Sequence, residues 1–303
     1  MVGKPVFVVP FLRNLNLPEE DGMGIERRLA WEASGQVPSS LSTNGNGNSG
    51  SSEGKKPVVV VVAYPHTAIS DDLCPLEGDP RFEVQWRRRR IPRPYPHTTA
   101  VILPGSRLTQ KDLKWLHDSG WATFLRKHVA AGGNVLGICG GYQMLGWSVD
   151  DPDGVEGAVG SKQGLGLLPI RTKIAPPEVK VVVPRKGNLY GSNTPIEGFE
   201  LHCGQSEIVT ELGSGLGSQI HPLIHFEDGK PEGMGAGRAK GTYVHGVLWS
   251  AEARVELLVP ERKDFPVLKD AQVQDPLDRL ADHLESCGLD FNTLQAMLSK
   301  HKK

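Results

Sequence analysis

The sequence predicts an α/β fold: a parallel sheet with helices on both faces and a strand-turn-helix elbow that carries a nucleophile. Three observations lead there. Val58 to Ala63 is a continuous, largely β-branched run, the signature of a strand buried on both faces. Beyond it, short apolar runs alternate with stretches of helical spacing, the pattern of a parallel sheet with crossover helices. Gly137, Cys139 and Gly141 then stand between an apolar run and a helical one, in the arrangement of a nucleophile elbow with Cys in place of Ser.

The elements follow in order. Lys4 to Leu17 opens as a short apolar strand (Val6, Phe7, Val8, Val9) that stops at Pro10, and the charged residues 18–33 suit a helix. Ser34 to Lys56 is rich in Gly, Ser and Asn and has almost nothing to bury, so it cannot offset its chain entropy and reads as a flexible linker. The chain thus divides into 1–33, the linker 34–56, and a folded region 57–303. In that region Phe82 to Trp86 is a second strand, and Ala100 to Leu103 is a third, ending at Pro104 and Gly105. Thr109 to Val129 has helical spacing (Leu113, Leu116, Phe124, Leu125) with a break near Gly120. Asn134 to Ile138 is a fourth strand, and a helix starts at Gly140. The strands of the second half are more widely separated: Lys180 to Val183, Glu197 to Cys203, Ile220 to Phe226 and Gly241 to Val244. Asp278 to Ser299 reads as a helix pair around Gly288.

Composition narrows the class. Lys and Arg total 34 against 35 Asp and Glu, so no global field drives the chain onto nucleic acid or a membrane surface. No apolar run approaches the roughly 18 residues of a membrane span, and Met1 to Val9 lacks the features of a signal peptide. The four cysteines, at 74, 139, 203 and 287, have neither metal-ligand nor disulfide spacing, so no metal is expected and a reducing, cytoplasmic setting is the default. Arg87 to Arg90 form a basic cluster. Its readings are a nucleic-acid patch, a solvated loop between strands, or a docking surface for an acidic partner; the balanced overall charge favours the solvated loop.

The chemistry centres on Cys139. A tight strand-to-helix turn exposes the sulfur at a helix N-terminus, where partial positive charge favours thiolate. The Gly140 N–H is then placed to meet an oxyanion, and Gly105, after the third strand, is free to bring a second backbone donor close. A thiol nucleophile needs a base. Of ten histidines the best placed is His245, at the end of an apolar strand and before Gly246, although a structural histidine at a strand end is a serious competitor.

These residues carry a resemblance. Cys139-Gly-Gly-Tyr-Gln143 with the distant His245-Gly246 resembles the class I glutamine amidotransferases. Leu103 to Leu116, Gly137 to Gly146, Asp151 to Gly157, Gly164 to Pro169 and Gly241 to Gly246, in that order, resemble the cobyric acid synthase family of CobQ type. The resemblance implies the parallel-sheet class I glutamine amidotransferase fold. It implies glutamine hydrolysis through a thioester, with Cys139 as nucleophile, His245 as base, and Gln143 and its neighbour Tyr142 on the substrate side. Phe199 to Gly204 resembles an aromatic-Glu-x-His-x-Gly segment of the family, which places Glu200 and His202 near the site. The released ammonia would serve ATP-dependent amidation of corrinoid carboxylates on a synthetase domain, in cobalamin biosynthesis.

Departures accompany it. The class I domains have an acid two residues after the histidine; here Val247 stands there, as is usual in the cobyric acid branch. Tyr64 to Leu76 keeps Pro65, Asp72, Pro75 and Leu76 but has Ile69 and Cys74 where Asn and Asp are usual, and Arg107 replaces a common Lys. These departures bear on docking of the acceptor-side domain rather than on hydrolysis. Only Lys4 to Asp21 resembles the end of the synthetase domain, and the chain has no G-x-x-x-x-G-K-[ST], so ATP and Mg are expected on a partner domain or chain and no cofactor on this one. Two other functions fit the residues less well: a stand-alone or other acyl hydrolase, and a non-catalytic homologue.

Overall fold

The computed structural model of the chain describes residues 9–10, 23–34, 56–68, 70–209, 220–262, 265–266, 276–293 and 295. They belong to two compact units, one within 19–268 and the other drawn from 1–18 and 269–303. These units do not follow the divisions that composition suggests at 33/34 and 56/57. The interior of the Gly/Ser/Asn stretch, 35–55, lies outside the described residues, as does most of Lys4 to Leu17.

A seven-stranded sheet organises the larger unit, in the order Glu83–Arg87, Val58–Val62, Ala100–Leu103, Asn134–Ile138, Ala239–Thr242, Met234–Ala236, Ile220–His221. The first five strands run parallel and the last two complete the sheet antiparallel. Side chains alternate along each strand, so the valine run feeds two cores. Val59 and Val61, with Ala100, Ile102, Leu136 and Ile138, meet Ala253, Leu257 and Leu258 of helix Ala251–Leu258 and Ile25 and Leu29 of helix Met23–Ser34. Val60, Val62, Val101 and Leu103 meet Leu113 and Leu116 of helix Thr109–Asp118 and Trp121, Phe124 and Leu125 of helix Trp121–Ala130. Each fully buried Val, Leu or Ile contributes ~1.5–3 kcal/mol of transfer free energy. That double burial is why the run contains no polar residue. The helical stretch breaks at Gly120, which takes φ 87 between the two helices.

Two expected strands are each divided between sheets. Ile220 to Phe226 splits at Pro222, which has no N–H to donate: Ile220–His221 stays with the seven-stranded sheet, and Ile224–Phe226 joins a separate five-stranded antiparallel sheet. Gly241 to Val244 splits at Tyr243, so Ala239–Thr242 ends the parallel array while Val244–His245 pairs with Pro195–His202 in the second sheet. A four-stranded sheet of Gly204–Ile208, Ile170–Ile174, Ser148–Asp151 and Gly160–Gln163 has no clear apolar signature; all of Gly160–Gln163 is exposed.

The arginine cluster holds a helix of its own chain. The backbone N–H groups of Arg88, Arg89 and Arg90 donate to Glu32 Oε1 at 3.2, 3.1 and 2.6 Å, and the Arg88 side chain bonds Glu26 and the Ala63 carbonyl. Arg28 adds a two-pronged bond to Glu77 at 2.8 and 2.9 Å. Met23–Ser34 is thereby fastened to the Glu83–Arg87 edge strand. In the smaller unit, helix Pro276–Ser286 brings His283 Nε2 to the Pro10 carbonyl at 2.8 Å. Gly288, at φ 82, ends that helix before a further helical turn at 291–293. No helix among the described residues is long and apolar enough to cross a membrane.

Candidate active site

Four neighbouring parallel strands deliver the site from their carboxyl ends, where ligands of open α/β sheets bind. Val58–Val62 leads to Tyr64 and Asp72, Ala100–Leu103 to Gly105 and Ser106, Asn134–Ile138 to Cys139, and Ala239–Thr242 to Tyr243 and His245.

Cys139 occupies the turn between the fourth strand and helix Gly140–Leu145 at φ 52, ψ −110, a conformation that side chains rarely adopt. Holding it costs roughly 1–3 kcal/mol, and the neighbouring residues show how it is held. A Cβ on Gly141 would lie 1.9 Å from the Leu103 carbonyl oxygen, and one on Gly140 would lie 2.8 Å from Ser106 N. Backbone therefore packs against backbone on both sides of the turn. The Cys139 sulfur lies 3.5 Å from the Leu201 carbonyl oxygen.

His245 is fully buried, its ring stacked on Phe199 with centroids 5.2 Å apart. Nδ1 lies 2.6 Å from Asp72 Oδ2, while Nε2 is buried and makes no hydrogen bond among the described residues. Burial pulls the imidazole pKa down, but the hydrogen bond that Nδ1 donates to Asp72, and after it the neighbouring Cys139 sulfur, outweigh burial and raise it to about 10. Asp72 thus engages one ring nitrogen and leaves the other for proton exchange, the arrangement that lets a ring carry a proton to a leaving amine.

Gln143, one turn beyond Cys139, is buried with Oε1 3.1 Å from the Thr109 hydroxyl and Nε2 3.5 Å from the Tyr243 hydroxyl. The same Thr109 hydroxyl is 3.0 Å from Glu156 Oε1. An amide and a carboxylate thus share one hydroxyl beside the nucleophile's helix.

The remaining sequence-selected residues fall into place unevenly. Gly105 lies at the site; a Cβ there would be 3.6 Å from the His245 ring. Its N–H is not the free donor expected, however. Residues 67–68 and 105–106 pair antiparallel, and Arg107 N bonds the His66 carbonyl at 3.0 Å. Alternation along that ladder turns the Gly105 N–H to Ala68 and leaves the Ser106 N–H facing Gly140. The second backbone donor is thus one residue further on. Tyr142 is core rather than substrate wall: its ring is buried against Gly241 and packs edge-on to Tyr243 at 5.2 Å. Glu200 and His202 flank Leu201, whose carbonyl faces the sulfur. His202 stacks on Tyr243 at 3.9 Å and bonds the Gly204 carbonyl at 2.8 Å, while Glu200 pairs with Arg185 and lies 3.5 Å from His202 Nε2. Burial alone would raise the Glu200 carboxyl, but the hydrogen bonds from His202 and Arg185 hold it below its ordinary value. These two residues buttress the strand behind the sulfur.

Other residues at the site lay outside the sequence expectation: Asp112, Glu156, and the contact made by Asp72. Asp72, within the Tyr64 to Leu76 segment, reaches His245. Cys74, one of its departures, sits 3.9 Å from the Arg28 guanidinium with its thiol pushed up to about 11 mainly by burial, which makes it an unreactive sulfur. Among the described residues no cluster of His, Cys, Asp and Glu is arranged to hold a metal ion.

Fold and site together define an α/β protein built around a cysteine on a strained elbow beside a buried histidine. Residues 58–253 match the CobB/CobQ-like glutamine amidotransferase domain, and the chain belongs to that family. Cobyric acid synthase of Methylorubrum populi is 34% identical over 287 residues, covering 88% of this chain and 55% of that protein. Cobyric acid synthase of Cereibacter sphaeroides is 36% identical over 285 residues, covering 91% of this chain and 57% of that protein. The chain spans about half the length of these curated relatives. Among solved structures, PurLQS from Thermotoga maritima aligns over 77% of this chain and 99% of that one, with a TM-score of 0.46 and 14% identity.

Proposed function

We propose that this chain hydrolyses glutamine to glutamate and ammonia through a γ-glutamyl thioester on Cys139. The observation that carries the reading is the buried His245 ring beside a cysteine held at φ 52 on the elbow. The Cys139 sulfur attacks the side-chain amide carbon, and the thiol proton passes to His245. The carbonyl oxygen becomes an oxyanion facing the Gly140 and Ser106 N–H groups. His245 then protonates the leaving nitrogen, and ammonia departs as the C–N bond breaks. Water attacks the thioester with His245 accepting its proton, and glutamate leaves as the C–S bond breaks and the thiol is restored. Gln143 and Glu156 suit the substrate's amino group, one as an amide acceptor and the other as a carboxylate.

The ammonia is proposed to pass to a synthetase part, in the same protein or a partner, where ATP and Mg activate peripheral carboxylates of a corrinoid acid for amidation. Support comes from the cobyric acid synthase relatives, about half of whose length this chain spans. The test is ammonia release from glutamine, with and without a cobyric acid-type synthetase domain, ATP and a cobyrinic acid diamide. Cys139→Ala should abolish release, while Cys74→Ala, Cys203→Ala and Cys287→Ala keep most of it. An electrophilic glutamine analogue should label Cys139 alone. Undiminished turnover in Cys139→Ala would sink the mechanism. Normal hydrolysis that never responds to a synthetase domain would leave a glutaminase and remove the corrinoid reading.

A further inference from the structure

His245 has no acid two residues downstream; Val247 is there, fully buried. A carboxylate nevertheless reaches the ring from 173 positions away in sequence. Asp72 lies in the short 3-10 turn Ser70–Leu73, on the segment that follows the first parallel strand. Its two oxygens do different things. Oδ2 is 2.6 Å from His245 Nδ1, and Oδ1 accepts the Gly246 N–H at 2.9 Å. Both side chains are nearly inaccessible to solvent, at 0% for His245 and 3% for Asp72.

We propose that Asp72 is the positioning residue of this site, taking the part of the missing downstream acid by fixing both the His245 ring and the turn that carries it. The proposal rests on the reading of Cys139 and His245 as the hydrolytic pair. With Nδ1 donating its hydrogen to Asp72, Nε2 is the nitrogen left to exchange a proton with the thiol. A ring flip would take Nδ1 away from Asp72, and Phe199 stacked on the ring face confines the ring further. The bond to Gly246 makes the arrangement two-point: the carboxylate grips backbone as well as side chain. The pKa of His245, about 10, fits this, since Asp72 is the largest influence raising it against burial. The segment Tyr64 to Leu76 is therefore part of the hydrolytic machinery.

The test uses the full chain with Asp72→Asn and Asp72→Glu, reading glutamine turnover and the pH dependence of Cys139 alkylation by iodoacetamide, which needs no glutamine. Asp72→Asn should lower kcat by about 10²–10⁴-fold with KM changed by less than about threefold. The alkaline limb of alkylation, near pH 10 in the wild type, should move down by about one pH unit or more. Asp72→Glu should restore part of both. Wild-type kcat with an unmoved limb in a folded Asp72→Asn protein would overturn the proposal. If Asp72→Asn does not fold, nitrogen-15 NMR of wild-type His245 decides: Nδ1 should carry a strongly downfield proton at neutral pH, and an unprotonated Nδ1 rejects the role. Should the wild type never release ammonia while the alkylation limb still moves in Asp72→Asn, glutamine hydrolysis fails as the reading and the positioning role stands.

Discussion

Ser106 Oγ donates to Asp112 Oδ2 at 2.6 Å, and this bond fixes the wall that faces the nucleophile's turn. Asp112 is fully buried on helix Thr109–Asp118, and its other oxygen takes the His66 N–H at 3.1 Å and His66 Nδ1 at 2.9 Å. One carboxylate thereby ties the loops after the first and third strands. Burial raises its pKa, and the bonds from Ser106 and His66 counter that rise. Since the Ser106 N–H is the donor aimed at Gly140, its position depends on this anchor. Ser106→Ala should keep the fold and change KM little but lower kcat for glutamine on the order of tenfold, because sub-ångström drift of a preorganised donor is costly. Asp112→Asn should lower kcat further and destabilise by ~1–3 kcal/mol, since it leaves a buried donor without its acceptor. Steady-state kinetics with thermal melts separate the two effects.

Residues whose role is local were legible in the sequence. The valine run, the glycines around Cys139 and the helix break at Gly120 each leave a short-range pattern, because β-branching, close backbone approach and positive φ act within a few residues. His245 was legible as a strand end before a glycine. The contact of Asp72 and the anchor at Asp112 were not, because their meaning lies in contacts between loops that only the folded sheet brings together. Tyr142 shows the converse. Its position beside the nucleophile suggested substrate contact, but a helical residue that follows a buried cysteine can equally point into the core, and here the space beside Gly241 receives it. Arg87 to Arg90 likewise read as a charge run, whereas the backbone N–H groups of Arg88, Arg89 and Arg90 are what the Glu32 carboxylate takes up.

That carboxylate gives a stability prediction. Glu32→Ala removes the acceptor shared by the N–H groups of Arg88, Arg89 and Arg90. A loss of ~1–3 kcal/mol is expected in denaturant unfolding. The amides of these three residues should exchange faster with solvent by more than the loss in global stability, while amides of Asn134–Ile138 should speed up by no more than that loss. Unchanged exchange at all three would mean that the side-chain pairs, Arg28 with Glu77 and Arg88 with Glu26, hold the helix without Glu32.

Two buried groups should give stability opposite pH slopes. Burial raises Glu232 from 4.5 to about 7, with bonds from Thr242 and the Tyr243 N–H lowering it only in part. The folded state then holds that proton more tightly than the unfolded one, so this contribution to stability is lost as pH rises from about 4.5 through about 7. Burial lowers His128 from 6.5 to about 4, so its contribution is lost as pH falls from about 6.5 through about 4. His128→Gln, which can still accept from Tyr95 N and donate to the Asn134 carbonyl, should unmask falling stability with rising pH. Glu232→Gln should unmask the reverse. Each slope should integrate to at most about 3.5 kcal/mol. Urea titrations between pH 4 and 7 read both, and identical slopes in the two variants would reject the assignment.

Glu156 offers a prediction that separates substrate recognition from helix capping. Asp151 takes the Val155 and Glu156 N–H groups at 2.9 Å each, and this turn folds the Glu156 side chain back toward the elbow. There Oε1 lies 3.0 Å from the Thr109 hydroxyl and Oε2 lies 3.2 Å from Gln110 N. Burial raises its pKa, with the bonds from Gln110 and Thr109 opposing, so a cation arriving beside it would favour the charged form. The amino group of glutamine is such a cation, and Gln143 stands across the same hydroxyl. Glu156→Gln should then raise KM for glutamine about 10- to 100-fold, the worth of a charged hydrogen bond, with kcat changed far less. The sharper readout is 4-carbamoylbutanoate, the same amide without the amino group. The wild type should prefer glutamine over it strongly, and Glu156→Gln should lose most of that preference, because the site no longer rewards the ammonium. If Glu156 only caps helix Thr109–Asp118, the variant will melt at a lower temperature while the preference between the two amides stays as in the wild type.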